Sequence, residues 1–264
     1  MNFSTYEDIT FSRSGRVLTI TLNRPDRLNA VSRSLHRELA KVFHDVAADE
    51  ESDLIVLTGA GRAFCAGGDL EFLENSIEDP SSFHEVLREA RTIVHSILDC
   101  DKPIICRMNG DAIGLGASLA LLCDIIVAAD HARLADPHVR VGLVAGDGGA
   151  VIWPQLIGYA RAKQYLLTGE FISANDAESI GLINFSVPES ELDATVDAWL
   201  AKLSKGTRQS VRWTKATINT GLKQLASTIM DTGIAYEGMS VATADHIEAV
   251  KAIREKRKPL FSGR

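Results

Sequence analysis

An α/β fold is predicted for this chain, and three observations carry the prediction. Short, continuously apolar runs read as strands buried on both faces. Longer stretches with apolar residues three and four apart read as helices, and the two kinds alternate through the first two thirds of the sequence. The apolar content comes from Ala, Val, Ile and Leu, with aromatics at only 6%, which suits an α/β protein better than a β-sandwich.

Val17–Leu22 (VLTITL) is β-branched and nearly alternating, and it stops at the turn-like NRPD of residues 23–26. Residues 32–48 read as a helix with Leu35, Leu39, Val42, Phe43 and Val46 on one face. Leu54–Thr58 (LIVLT) is a buried strand that runs into a glycine-rich loop, Gly59–Leu70 (GAGRAFCAGGDL). A helix over residues 82–98 follows, with Val86, Ile93, Val94 and Ile97 as its apolar members. Pro103–Met108 is the next strand. Asn109–Gly116 (NGDAIGLG) is a second glycine-rich loop, leading into a small apolar helix over 117–123. Ile125–Ala129 is another buried strand, and 150–157 is helix-like. Strand, loop and helix thus recur at residues 54–73 and 104–122, an arrangement that brings the two loops side by side. Beyond Val187 the pattern is wholly helical, over 189–225 and 228–257, with Pro188 at the boundary. The expected organisation is a core over 1–190 and a helical portion over 191–264 that packs on the core or on a neighbouring subunit.

The chain has 264 residues and a formal net charge of -7, from 35 acidic and 28 basic residues. That balance argues against nucleic acid as a partner. Cys65, Cys100, Cys106 and Cys123 show no zinc-type spacing, so no metal is expected and they read as reduced, apolar fillers. The N-terminal residues are polar and acidic, unlike a signal peptide. The longest apolar stretch, residues 112–123, is too short to span a bilayer. A cytoplasmic protein with no membrane association is expected.

Six segments, in order, resemble the enoyl-CoA hydratase/isomerase (crotonase) superfamily: residues 23–30 (NRPDRLNA), 61–70, 109–116, 123–125 (CDI), 142–149 and 255–261 (EKRKPLF). The resemblance implies a crotonase-like spiral of β-β-α units, a helical C-terminal trimerisation region, and a homotrimer or dimer of trimers. It implies an acyl-CoA substrate and no cofactor beyond the coenzyme A of that substrate.

The chemistry implied is stabilisation of a thioester enolate. Fixed donors aimed at the carbonyl oxygen lower that barrier, each worth roughly 3–4 kcal/mol when removed from a hydrolase site. By resemblance the donors are the backbone N–H groups of Ala66 and Leu115, the latter where the second loop enters its helix. The same resemblance assigns CoA contacts to Leu28, Ala30, Ala66, Asp69 and Leu70. The basic tail, Lys251, Arg254, Lys256, Arg257 and Lys258, is the candidate for the CoA phosphates. Asp69 equally suits an N-cap of the following helix, and the tail a solvated helix end.

Two glutamates that act as base and acid in the family's hydratases fall here at Ser118 and His138. An unaided serine hydroxyl is no general base near neutral pH. Histidine is one, with a reference pKa of about 6.5. Asp147, nine positions on, pairs with His138 in the functional reading and is an N-cap in the structural one. A β-diketone hydrolase branch of the superfamily resembles this His/Asp spacing. A hydroxycinnamoyl-CoA branch resembles the serine. The first expectation is therefore an enoyl-CoA hydratase or isomerase acting through His138, Asp147 and Ser118. The alternatives are a retro-Claisen C–C hydrolase or decarboxylase using His138 and Asp147, and a non-catalytic acyl-CoA-binding protein.

Overall fold

A computed structural model describes residues 3–78 and 80–264, with the side chains of 79–82 left aside. The chain opens with an antiparallel hairpin of β1 (Ile9–Ser14) and β2 (Val17–Leu22), followed by α1 (Arg33–Ala48) and β3 (Leu54–Gly59). Next come α2 (Leu70–Glu78), α3 (Pro80–Asp99), β4 (Ile104–Met108), β5 (Ala112–Ile113), α4 (Leu115–Leu121), β6 (Ile125–Ala129) and β7 (Arg133–Ala135). The remainder is α5 (Gly149–Thr168), β8 (Ile172–Ser173), α6 (Ala174–Ser179), β9 (Phe185–Val187), α7 (Leu192–Ser204), α8 (Arg208–Val241) and α9 (Ala244–Arg254).

The main sheet is six-stranded in the order β1-β2-β3-β4-β6-β9, parallel except for the first hairpin. β3 is buried along its whole length, as a strand covered on both faces must be. The apolar stripe of α1 closes one side of the principal core, and Ser32 starts that helix by accepting the Leu35 N–H at 3.1 Å. A smaller sheet, in the order β5-β7-β8, stands beside the main one. Its strands are two or three residues long, too short to show a period in the sequence.

The C-terminal helices differ in their breaks from the reading of the sequence. The first helical stretch ends at Ser204 and resumes at Arg208, across Gly206. No break occurs between 225 and 228, where the Thr228 hydroxyl donates back to the Gln224 carbonyl at 3.0 Å and the helix runs on. The break falls instead at 242–243, because Thr243 caps the next helix through the His246 N–H. Ala226 and Met230 of α8 enter the principal core. None of the helices among the described residues is long and apolar enough to cross a membrane.

The two glycine-rich loops lie side by side, as the repeated unit predicts. Cys65 donates to the Asp111 carbonyl at 3.0 Å and accepts from Ile113 at 2.8 Å, which makes one rung of parallel pairing between the loops. Two buried asparagines pin the first loop. Asn29 donates to the carbonyls of Ala60 and Ala63 at 2.8 Å each. Asn109 donates to Gly61 and Ala63, while its carbonyl oxygen accepts the Gly59 N–H and the Thr58 hydroxyl. The Asn109 side chain thereby fills all the hydrogen-bonding positions it offers, and Asn29 uses both its donors and accepts the Arg24 N–H. Asn109→Ala leaves several buried backbone groups without partners, each at about 1–3 kcal/mol. The expected loss is about 3 kcal/mol in chemical denaturation, and a loss under about 1 kcal/mol would show that Asn109 does not hold the loop.

Candidate active site

A cavity opens where the two loops meet the 3-10 turn of residues 138–141, the approach to α5, and α8. Ala66, Gly67, Gly68, Gly114 and Leu115 form one wall, and His138, Asp147 and Glu237 supply polar groups. The rest is largely apolar, from residues such as Phe72, Phe83, Val86, Leu143 and Ile253.

Ala66 and Leu115, the expected donor pair, both line this cavity, but only one has its N–H free. The Ala66 N–H donates to the Leu28 carbonyl at 3.1 Å, so the expectation that it points at a substrate oxygen is corrected. Two residues on, Gly68 donates to no acceptor among the described residues, and neither does Leu115. The chain turns between these positions at Gly67, with φ at +84°, where a Cβ would press on the Ile113 carbonyl.

His138 sits between two carboxylates. Its Nδ1 bonds to Asp136 Oδ1, and its Nε2 lies 3.4 Å from Asp147 Oδ2. Burial alone lowers the pKa of His138; the Asp147 and Asp136 charges outweigh it and hold the imidazole well above its ordinary value. Burial likewise works to raise the Asp147 carboxyl, and the facing imidazole draws it below its usual range. Asp147 is not the N-cap of α5, a place taken by Gly148, although the Gly149 N–H supports its carboxylate. Asp136, His138 and Asp147 offer ligand atoms within 4.8 Å of one another. Both ring nitrogens already face carboxylate oxygens, so a metal ion would have to displace one of those partners.

Glu237, which sequence reasoning missed, completes the cluster. Burial and then the Asp147 charge push its carboxyl up to about 8. It reaches the cavity because α8 passes directly over the loop before α5: a Cβ on Gly146 would stand 2.7 Å from Glu237 Oε2 and 2.6 Å from the Gly233 carbonyl. The available signal was a glutamate on the buried stripe of α8, in line with Ala226 and Met230. Asp136 was also missed, two residues before His138 and fully buried.

Other expected site residues fall elsewhere. Ser118 is fully buried and does not line the cavity; its Oγ lies beneath Gly148 and has no hydrogen-bond partner. Its expected catalytic place is corrected on that burial: the hydroxyl is enclosed and is not part of the cavity lining. Leu28, Ala30, Asp69, Leu70 and Lys258 also lie outside the cavity lining. Asp69 is paired with Arg24 at 3.1 Å and accepts the Glu71 N–H at the start of α2, and Lys258 is exposed beyond α9.

Fold and site together define an enzyme built around two glycine-rich loops and a buried acid–base cluster. The chain belongs to the enoyl-CoA hydratase/isomerase family, whose model matches residues 12–264. A probable enoyl-CoA hydratase of Rhodobacter capsulatus is 34% identical over 260 residues, covering 98% of this chain and 99% of that one. Among solved structures, an enoyl-CoA hydratase/isomerase from Mycobacterium paratuberculosis superposes with a TM-score of 0.89 at 39% identity, over 92% of this chain and 97% of that one. A β-diketone hydrolase from the cyanobacterium Anabaena superposes with a TM-score of 0.84 at 28% identity, over 91% and 96% of the two chains.

The Glu237 proton leaves a mark on stability. In the unfolded chain a glutamate releases its proton near pH 4.3, whereas the folded chain holds it to about 8. The stability attached to that proton is complete below the lower value and lost as pH rises through the upper one. In Glu237→Gln this component is absent, so between pH 5 and 8 wild-type stability falls relative to the variant. Parallel pH profiles of the two proteins in urea denaturation would show that Glu237 titrates normally.

Proposed function

We propose that this enzyme forms or consumes an enolate of an acyl-CoA thioester, with the Gly68 and Leu115 N–H groups holding the enolate oxygen. Asp147 is the base, Glu237 the acid, and His138 the positioning residue between Asp147 and Asp136. The observation that carries this reading is the opposite displacement of two carboxyl groups in one cavity. Asp147 is held ionised and Glu237 held protonated near neutral pH, the division of labour that acid–base catalysis requires.

In the hydration of a 2-enoyl thioester, Asp147 takes a proton from water as the oxygen adds to Cβ. The electron pair moves to the thioester oxygen between the two N–H donors. Glu237 then gives its proton to Cα. In isomerisation, Asp147 removes a proton from carbon instead and Glu237 returns one farther along the chain. His138, flanked by two carboxylates, stays protonated through either sequence and fixes the position of Asp147. The contacts to CoA expected at Leu28, Ala30, Asp69, Leu70 and Lys258 belong to this proposal, as does assembly into a homotrimer or a dimer of trimers.

A second reading keeps the oxyanion site and replaces the thioester with a β-diketone. Water activated by the Asp147–His138 pair attacks one carbonyl, the C–C bond breaks, and the other carbonyl leaves as an enolate. The likeness to the Anabaena β-diketone hydrolase favours it, together with the nine-residue spacing of His138 and Asp147.

Wild-type protein assayed on crotonyl-CoA and on a cyclic β-diketone separates the readings by which substrate is consumed. Asp147→Asn is expected to lower kcat/KM on the accepted substrate by about 10²–10⁴-fold. A decrease smaller than tenfold would remove Asp147 as the base in both readings.

A further inference from the structure

The apolar wall of the cavity contains one polar side chain that the chemistry above does not use. His36, on α1, forms part of this wall although its side chain is only 3% exposed. Its Nδ1 is bonded to Glu89 Oε2 at 2.6 Å, and the ring is stacked on Phe72 with centroids 5.7 Å apart. Glu89 is in turn gripped by Arg33. Burial works against the Glu89 charge, but His36 and Arg33 draw its carboxyl down to about 2, so it is ionised throughout the working range.

This relay fixes the ring. An ionised Glu89 accepts the Nδ1 proton, which leaves Nε2 as the nitrogen available to a ligand. Nε2 makes no hydrogen bond among the described residues, and the ring lines the cavity. A mostly buried imidazole in an apolar wall is favourable only if what fills the cavity satisfies its second nitrogen. Phe or Leu would fill the same volume without that condition. His36 and Asp147 line the same cavity.

We propose that His36 is a specificity-determining residue whose Nε2 binds an oxygen substituent on the acyl chain, so that the substrate is an oxygenated acyl group and not a plain alkyl one. The inference rests on the acyl-CoA reading and names the substrate class of that same site. A neutral ring accepts from a hydroxyl, and a protonated ring donates to a carbonyl or carboxylate. Val31, Phe72 and Phe83 in the same wall offer the rest of the chain apolar contact only.

The test compares kcat/KM for 2-enoyl-CoA thioesters of equal length bearing a terminal methyl, hydroxyl or carboxylate group. Wild type is expected to prefer one of the oxygenated chains by at least tenfold, in line with one buried hydrogen bond and the penalty for leaving it unmade. The identity of the preferred chain tells hydroxyl from carboxylate. In His36→Phe that preference falls to near one. In His36→Gln, whose amide nitrogen takes the place of Nε2, part of it returns. Equal use of all chains by wild type, or a preference that survives in His36→Phe, would overturn the role of His36 while leaving the acyl-CoA reading in place. Failure of wild type to turn over any thioester overturns both.

Discussion

The site depends on one backbone seam, the pairing of Cys65 with Asp111 and Ile113 that ties the first glycine-rich loop to the second. Two amide N–H groups on different loops act on one oxygen only if the loops cannot move relative to each other. The seam is possible because the second loop has glycines at two positions where it presses closest on the first. A Cβ on Gly116 would stand 2.7 Å from both the Cβ and the carbonyl oxygen of Cys65, and one on Gly110 would stand 2.9 Å from the Cα of Ala63. Asn29 and Asn109 then take up the carbonyls and amides that a turning loop leaves unpaired in the interior. Rigidity at the loops and the free N–H groups of Gly68 and Leu115 follow from the same arrangement.

Charge balance explains the acid–base cluster. Asp136, Asp147 and Glu237 share a water-poor space with one imidazole. A single imidazolium cannot neutralise three carboxylates, and burial disfavours any uncompensated charge. The system settles with His138 protonated between its two aspartates and with Glu237, the carboxyl farthest from compensation, retaining its own proton. In the proposed roles the acid depends on the base being ionised: the Asp147 charge is one of the causes that raise Glu237. Removing either group changes the other, as expected of coupled sites.

The strands and helices of the core were largely legible because each has a period that burial imposes. β2 alternates, β3 is buried throughout, and α1 carries a single stripe. The loops were legible as glycine-rich segments between them. What the sequence did not disclose were contacts set by packing at long range. Ala66 and Gly68 differ by only two positions, yet the direction of each N–H is fixed by whether Leu28 stands opposite. Glu237 reads as an ordinary helical glutamate until α8 is laid over Gly146, far away in the chain. Asp136 reads as part of a turn until His138 folds back on it. Ser118 failed for the converse reason: its position on a buried helix was readable, but not that its hydroxyl would be enclosed away from the cavity lining, close to Gly148.

These outcomes separate two kinds of functional group. A main-chain donor is carried by the fold itself: its position follows from strand, loop and helix, and it needs no particular side chain at its own position. A catalytic carboxyl needs only to reach the same small volume, and several elements surround that volume. Here the approach to α5 supplies Asp147, α8 supplies Glu237 and the 3-10 turn supplies His138. In the proposed reaction, proton-transfer groups can therefore sit on any of those elements while the main-chain donors stay put, so that a chain with serine at position 118 and histidine at 138 still gathers acid and base groups in one cavity. The reaction is set by which wall of the cavity carries the proton, and on that wall the chain departs furthest from a simple hydratase pattern.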